Sequence, residues 1–256
     1  MEQSKKTIEI LWTGGYDSTF RIVQLSQLDV EIQPYYISDK RKSERYELKA
    51  IEEITQLLKN HEKTRCTFNP LIYIDMNERI EDEEITQTYQ RVRKTDFFGT
   101  QYDWLARFAK GHKGIELSIH QDDTAILLIS KYGKLKKIEE DTPFETYILD
   151  TDASSPELCT LFSNYRFPLA QYTKLEMKDY YTANGYTDVM NKTWFCFTPV
   201  NGKPCGRCNP CKYTIEEGMQ ERFSSCAMRA YRFKKSLMKH TVLVKAGSAL
   251  KKALKG

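Results

Sequence analysis

Residues Thr7 to Leu28 read as a strand, a double-glycine turn and a helix. Thr7 to Leu11 (TIEIL) is short, β-branched and partly alternating. Beyond the turn WTGGYDST, the apolar residues Ile22, Val23, Leu25 and Leu28 fall near a helical period. A strand that feeds a helix in this way belongs to a layered α/β fold, and the helix start is an anion site, because its free N–H groups and dipole point into the turn. Gly14 and Gly15 let the backbone approach a ligand closely, and Ser18 and Thr19 add hydroxyl donors. The carboxylate of Asp17 opposes an anion, so it implies either a bridging Mg²⁺ or a hydrogen bond that fixes the loop. Neither the lysine-bearing P-loop nor the three-glycine dinucleotide pattern fits the stretch. An ordinary glycine turn capped by Asp17 or Ser18 accounts for the same residues.

The rest of the chain supports an α/β reading with a mostly parallel sheet. Val30 to Ile37, Leu71 to Ile74 and Ile115 to Ile119 read as further strands. Ser43 to Lys59, Glu78 to Lys94 and Gln101 to Ala109 read as helices. Ligands are expected at the carboxyl ends of the strands, where the glycine turn lies. From Ala125 to Leu149 the pattern predicts antiparallel hairpin material around Gly133, an inserted flap. At 256 residues, with 40% hydrophobic and 29% charged, the chain is expected to be one α/β domain with an appendage. No apolar run approaches the length of a membrane span, and the amino terminus has no signal-like apolar region, so a cytoplasmic site is expected. The net charge of +4 gives no indication of nucleic acid as a partner, although Arg229 to Lys255 concentrates Lys and Arg.

Four of the seven cysteines cluster in CFTPVNGKPCGRCNPC: Cys196, Cys205, Cys208 and Cys211. Two overlapping C-x-x-C steps place three thiolates around one point, and the excursion from Cys196 returns the fourth. A tetrahedral Zn²⁺ site needs that arrangement, and with four protein ligands such a metal is structural. An iron–sulfur cluster or a redox pair uses similar spacing. Cys66, Cys159 and Cys226 are expected to be ordinary thiols.

The turn resembles the SGGxDS motif of the PP-loop ATP pyrophosphatases, with Thr13 in place of the first serine. Together with C-x8-C-G-x-C-x-x-C, and with Phe167 to Met177 (FPLAQYTKLEM) resembling a P-L-x-x-x-[ST]-K-x-E-[IM] segment, it is similar to the 7-cyano-7-deazaguanine synthase family of queuosine biosynthesis. The resemblance implies an ATP-binding α/β domain over residues 1–190 and a zinc lobe with a basic tail over 191–256. It implies that Thr13, Gly14, Gly15, Asp17, Ser18, Thr19 and Lys174 bind nucleotide, with Asp17 and Lys174 catalytic. ATP and Mg²⁺ would be used to adenylate 7-carboxy-7-deazaguanine, ammonia would then give amide and nitrile, and the family default is a homodimer. Thr173 is expected to cap the helix that Lys174 opens, with Glu176 completing a capping box.

The middle of the chain departs from that family. Ser38 to Arg45, Thr95 to Gln101 and the loop His120-Gln121-Asp122-Asp123 replace its substrate segments. Gln121, Asp122 and Asp123 are substrate candidates, since a carboxylate accepts from the N–H edge of a guanine-like base. Asp39 is another, and Tyr36, Phe97 or Phe98 offer stacking. These departures leave open an acceptor that is an amine of a protein, as in defence-associated relatives, and a nucleotide-binding subunit without chemistry.

Overall fold

The computed structural model describes residues 5–75, 78 and 80–237. The expected basic tail lies outside the described residues beyond position 237. The chain divides into two units, Met1–Trp194 and Phe195–Gly256. The boundary falls after Trp194 and not after residue 190 because the Trp194 N–H donates to the Gly14 carbonyl at 2.8 Å and its ring stacks on Tyr46, with centroids 4.6 Å apart.

The first unit is α/β. Strands β1 (Thr7–Leu11), β2 (Glu31–Ile37), β3 (Thr67–Phe68), β4 (Ile72–Ile74), β5 (Ile115–Glu116) and β8 (Tyr165–Arg166) form one parallel sheet. Its order is β3-β2-β1-β5-β8, with β4 also pairing β2. β1 is central, in register from Thr7 opposite Glu31 to Leu11 opposite Tyr35. Ile8, Ile10, Ile32 and Tyr36 are buried on one face and Leu11, Tyr35 and Ile37 on the other, consistent with a sheet covered on both faces. Helix α1 (Tyr16–Ser26) is buried over almost its whole length. Helix α2 (Glu44–Lys59) is amphipathic and turns Ala50, Ile51, Ile54 and Leu58 inward. The expected helix over Glu78 to Lys94 begins later, as α3 (Glu83–Thr95), because Asp82 caps it by accepting from the Ile85 N–H at 3.0 Å. Helix α4 (Tyr102–Gly111) buries Tyr102, Leu105 and Ala109. β5 has a shorter ladder than Ile115 to Ile119 suggests, although the Leu117 N–H still donates to the Arg166 carbonyl at 2.9 Å.

Residues 125–149 form the expected antiparallel hairpin only in their second half. The apolar run after Asp123 is helix α5 (Thr124–Tyr132), capped by Asp123, whose carboxylate accepts from the Ala125 N–H at 2.8 Å. Ala125, Ile126, Leu128 and Ile129 are its buried face. Without that cap, such a run has no feature separating helix from strand. The hairpin is narrower: β6 (Leu135–Ile138) pairs antiparallel with β7 (Thr146–Leu149), Leu135 opposite Leu149. Gly133 ends α5, and a Cβ there would lie 2.2 Å from Ser154 Oγ. Helices α6 (Pro156–Phe162), α7 (Lys174–Ala183) and α8 (Thr187–Asn191) complete the unit. No helix among the described residues is long and apolar enough to cross a membrane.

In the second unit, helix α9 (Asn209–Glu216) follows the cysteine loop, and residues 225–237 are helical.

Candidate functional site

The turn between β1 and α1 is held from both sides. Gly14 has φ +67°, and a Cβ there would lie 2.8 Å from the Glu47 carbonyl of α2, so only glycine satisfies both conformation and space. Its carbonyl is the one taken by the Trp194 N–H. Gly15 stands at the N-cap of α1 in extended conformation, and no side chain caps the helix. An ordinary turn capped by Asp17 or Ser18 is therefore not what forms. Ser18 is 8% exposed, and its Oγ has no hydrogen-bond partner among the described residues. A buried hydroxyl beside uncapped helix amides is chemically suited to an anion. Thr13 is exposed at the mouth of the turn, its Oγ1 3.1 Å from the position a Cβ on Gly15 would take. Thr19 belongs to the frame: it is fully buried, and its Oγ1 accepts from the Trp12 indole at 3.0 Å.

Asp17 lies in the first turn of α1 between two basic groups. Lys174 Nζ is 2.6 Å from Asp17 Oδ1, and His120 Nδ1 is 3.4 Å from Asp17 Oδ2. The second contact is at ion-pair distance without hydrogen-bond alignment. Burial alone would raise the Asp17 carboxyl. The Lys174 charge and then His120 overcome burial and hold it at about 2. Lys174 opens α7 as expected, since Thr173 Oγ1 accepts from the Glu176 N–H at 3.2 Å and Glu176 accepts from the Thr173 N–H at 2.8 Å. The Lys174 ammonium also sits 4.8 Å from the Tyr16 ring centroid.

A second polar contact joins α1 to β5 one turn further on. Arg21 donates through Nε and Nη2 to the two Glu116 oxygens, each at 2.7 Å, and both residues are about 1% exposed. Residues 17 and 21 share one face of α1, and Glu116 of β5 and His120 of the loop after it meet that face. Two matched pairs, Arg21 with Glu116 and Asp17 with His120, thus run along the α1–β5 contact.

Of the substrate candidates, Asp123 is engaged in capping α5 and accepts from the Tyr102 hydroxyl at 3.1 Å. Gln121 and Asp122 are exposed, and the Gln121 N–H donates to the Tyr172 carbonyl at 3.1 Å. Asp39 pairs with Arg41 Nε at 2.7 Å. Tyr36 is buried, with its hydroxyl donating to Glu47 at 2.7 Å, and Phe98 is in the core. Phe97 is 82% exposed. Reading the chain did not single out His120 as a site residue. Its position just past the strand that neighbours β1 was the available signal.

The four cysteines converge within the second unit. All four sulfurs lie within 4.8 Å of one another. Cys205 Sγ is 3.8 Å from Cys211 Sγ, and Cys208 Sγ is 3.9 Å from Cys196 Sγ. Zn–S bonds of about 2.3 Å in a tetrahedron require sulfurs about 3.8 Å apart, so donor type and spacing both fit zinc. Local sequence explains the convergence. Asn201 and Gly202, both at positive φ, turn the chain between Val200 and Lys203, whose backbones exchange two hydrogen bonds. Gly206 has φ +69°, and a Cβ there would lie 2.1 Å from the Ala227 carbonyl. Cys208 is the N-cap of α9 and Cys211 lies in it. The Cys205 N–H donates to Cys196 Sγ at 3.3 Å, and the Arg207 N–H donates to Cys205 Sγ at 3.3 Å. Contact with Cys208 pushes the Cys196 thiol up to about 12 while drawing Cys208 well down, the split expected of thiols sharing a small volume without a cation. Outside the cluster, burial pushes Cys66 up to about 11, in keeping with an unreactive thiol.

Fold and site together define an α/β protein with a mostly parallel sheet, an anion-receptive turn at the strand ends, and a carboxyl-terminal four-cysteine cluster that can hold a metal ion such as zinc. No protein-family model matches this chain, and the comparison with curated proteins returned no match.

Proposed function

We propose that the protein is an AMP-forming PP-loop enzyme that adenylates the carboxylate of a 7-deazaguanine and passes the activated acyl group to ammonia to give the amide, whose oxygen a second ATP then adenylates so that AMP leaves as the nitrile forms. The observation that carries this reading is the uncapped start of α1, with the unpartnered Ser18 hydroxyl inside it and the Lys174–Asp17 pair beside it. The resemblance of WTGGYDST, the Lys174 segment and the four cysteines to the synthase family supports it, as does a central β1 with the turn at its carboxyl end.

A carboxylate is a poor electrophile, and its oxygen is not displaced by ammonia. Attack of that oxygen on the α-phosphorus of ATP, with pyrophosphate leaving, converts the carboxylate to an acyl-adenylate, a mixed anhydride from which ammonia displaces AMP. The contribution of the chain is positioning and charge. Gly14 and Gly15 admit the phosphates to the backbone, the first amides of α1 and the Ser18 and Thr13 hydroxyls bind the departing pyrophosphate, and Lys174 turns from Asp17 toward the developing charge. Asp17 is the carboxylate that would hold Mg²⁺, which supplies charge neutralisation between the phosphates. The cysteines hold zinc as a structural ion, because four protein ligands leave no open position.

A second reading keeps the adenylation and replaces ammonia by an amine of a protein. The exposed Gln121, Asp122 and Phe97 favour it, since they leave the departed substrate loops open to a larger acceptor.

The test is a mass-resolved reaction of the protein with ATP, Mg²⁺, 7-carboxy-7-deazaguanine and ammonium, following pyrophosphate, AMP and the deazaguanine product. Nitrile is the expected product. Pyrophosphate release that stops at the adenylate, with no amide or nitrile, favours the protein acceptor, and no pyrophosphate release refutes both readings.

A further inference from the structure

The two pairs along α1 and β5 carry different loads. Arg21–Glu116 is a bidentate pair that fixes how α1 lies against β5. With that contact fixed, the segment past β5, which turns where the Ile119 N–H donates to the Leu117 carbonyl at 3.0 Å, brings His120 to Asp17 in the first turn of α1. The loop that follows cannot drift. The Asp123 N–H donates to the His120 carbonyl at 2.9 Å, the Gln121 N–H is held by Tyr172, and Asp123 is fixed by α5 and Tyr102. The His120 side chain is 14% exposed, and its Nδ1 has no hydrogen-bond partner among the described residues. The carboxylate at 3.4 Å is thus its electrostatic partner.

Charge balance in the turn requires such a group. Lys174 and Asp17 neutralise each other while the turn is empty of anion. An ammonium that moves to a polyphosphate leaves behind a carboxylate facing that same polyphosphate. An Asp17 not otherwise held would follow Lys174 and leave the position from which it would hold Mg²⁺.

We infer that His120 is a positioning residue, which holds Asp17 Oδ2 from the carboxyl end of β5 and so releases Lys174 from Oδ1 to serve the bound anion. Its catalytic meaning rests on the proposed ATP chemistry; the contact itself does not. For that role the ring must carry a proton on Nδ1, the nitrogen 3.4 Å from Asp17 Oδ2. The role resembles that of an outer-shell group that orients a ligating carboxylate, whose removal typically costs about 10–100-fold in activity.

Two measurements on the full chain separate the contact from its consequence. Long-range ¹H–¹⁵N spectra near neutral pH, with the His120 signals assigned by their absence in His120→Leu, should show the Nδ1–H tautomer in the wild type and its loss in Asp17→Ala. An Nε2–H tautomer in the wild type overturns the inference irrespective of activity. In the AMP-release assay His120→Leu should lower kcat by about 10–100-fold with KM for ATP changed less than about threefold. His120→Asn, which restores an N–H donor near the place of Nδ1, should recover most of the loss. Equal loss in both variants, tracking their thermal midpoints, would make the residue merely structural. Unchanged turnover in His120→Leu sinks the positioning role alone, whereas a wild type that releases no AMP despite the Nδ1–H tautomer sinks the proposed function and with it this role in catalysis.

Discussion

Lys174 Nζ stands 2.6 Å from Asp17 Oδ1 across 157 residues of sequence. One residue lies in the first turn of α1 and the other opens α7, so the pair joins two helix starts. It is partly buried, with side-chain exposures of 19% and 25%, a setting in which a charge pair is screened less than at the surface. Because each partner compensates the other, the variants differ in what they leave behind. Lys174→Ala leaves a carboxylate beside His120 in the turn proposed to hold the phosphates. Asp17→Ala leaves an ammonium free to bind phosphate. Both should lower AMP release by orders of magnitude, and Lys174→Ala alone should also weaken ATP binding by about tenfold or more. Near-normal pyrophosphate release in either variant refutes the assignment of roles.

The same pair predicts a pH dependence of stability. Asp17 has an ordinary value of 3.8 and sits at about 2 in the folded chain. A folded value below the unfolded one means that the unfolded state binds protons first as pH falls, so the stabilisation is complete above about pH 4 and is lost toward pH 2. The shift corresponds to about 2 kcal/mol at neutral pH, roughly half of it gone by pH 3. Urea unfolding of the wild type and of Asp17→Asn at pH 7 and pH 3 reads this directly. The gap between the two proteins should narrow at the lower pH, and a constant gap excludes Asp17 as the source.

Arg21 and Glu116 are buried together, with Gln24 also accepting from Arg21 Nη1 at 3.1 Å. Breaking a buried pair strands a charge, so Glu116→Ala should cost about 3–5 kcal/mol. Replacing both partners with apolar residues of similar volume, Arg21→Met with Glu116→Leu, should restore most of that loss. Equilibrium unfolding of the single and double variants checks the cycle; losses that simply add mean that the residues act independently.

Gly14 offers a test of the turn itself. Alanine there must accept φ +67° and a Cβ within 2.8 Å of the Glu47 carbonyl. The left-handed conformation costs about 1–2 kcal/mol, and the close approach must be relieved by moving the turn away from α2. Gly14→Ala should therefore lose both stability and ATP binding. Gly185→Ala meets the same conformational cost, at φ +85°, with no neighbour within 4 Å. It should lose about as much stability as the conformation demands and retain the site. Calorimetric ATP binding by the two variants, beside their thermal midpoints, separates strain from site geometry.

What was legible in the sequence was what neighbouring residues decide. The β1–turn–α1 unit, the Thr173–Glu176 capping box and the convergence of four cysteines each depend on spacing within a short segment. Two features escaped for a common reason. The Asp17–His120 contact and the Arg21–Glu116 pair exist only because β5 lies beside β1, and a strand of two residues announces its place in a sheet poorly. The helix over Thr124–Tyr132 was hidden by a continuous apolar run whose type is decided by Asp123, a residue that as sequence looked like a substrate ligand. The unit boundary followed Trp194 because a backbone hydrogen bond to Gly14 holds that residue to the first unit.

The cysteine cluster makes the sharpest prediction about composition. Sulfurs 3.8 and 3.9 Å apart, with backbone N–H groups donating to them, are arranged to share a cation. Thiolates without one repel, and the backbone N–H groups of Cys205, Arg207 and Cys208 all end on sulfur. Binding of zinc by such sites is worth about 10 kcal/mol or more at neutral pH, so folding of this segment should be coupled to the metal. Elemental analysis of the purified chain should find one zinc per chain. Cys208→Ser and Cys211→Ser should lose it, and Cys159→Ser should keep it. Gly206→Ala should also lose metal although it removes no ligand, because its Cβ would strike the Ala227 carbonyl at 2.1 Å. Chelation should expose the segment to protease between Cys196 and Cys211, and re-addition of zinc should restore protection. Iron with labile sulfide in place of zinc would reassign the centre to an iron–sulfur cluster, and a chain that is metal-free yet protease-resistant would show that the sulfurs converge for packing alone.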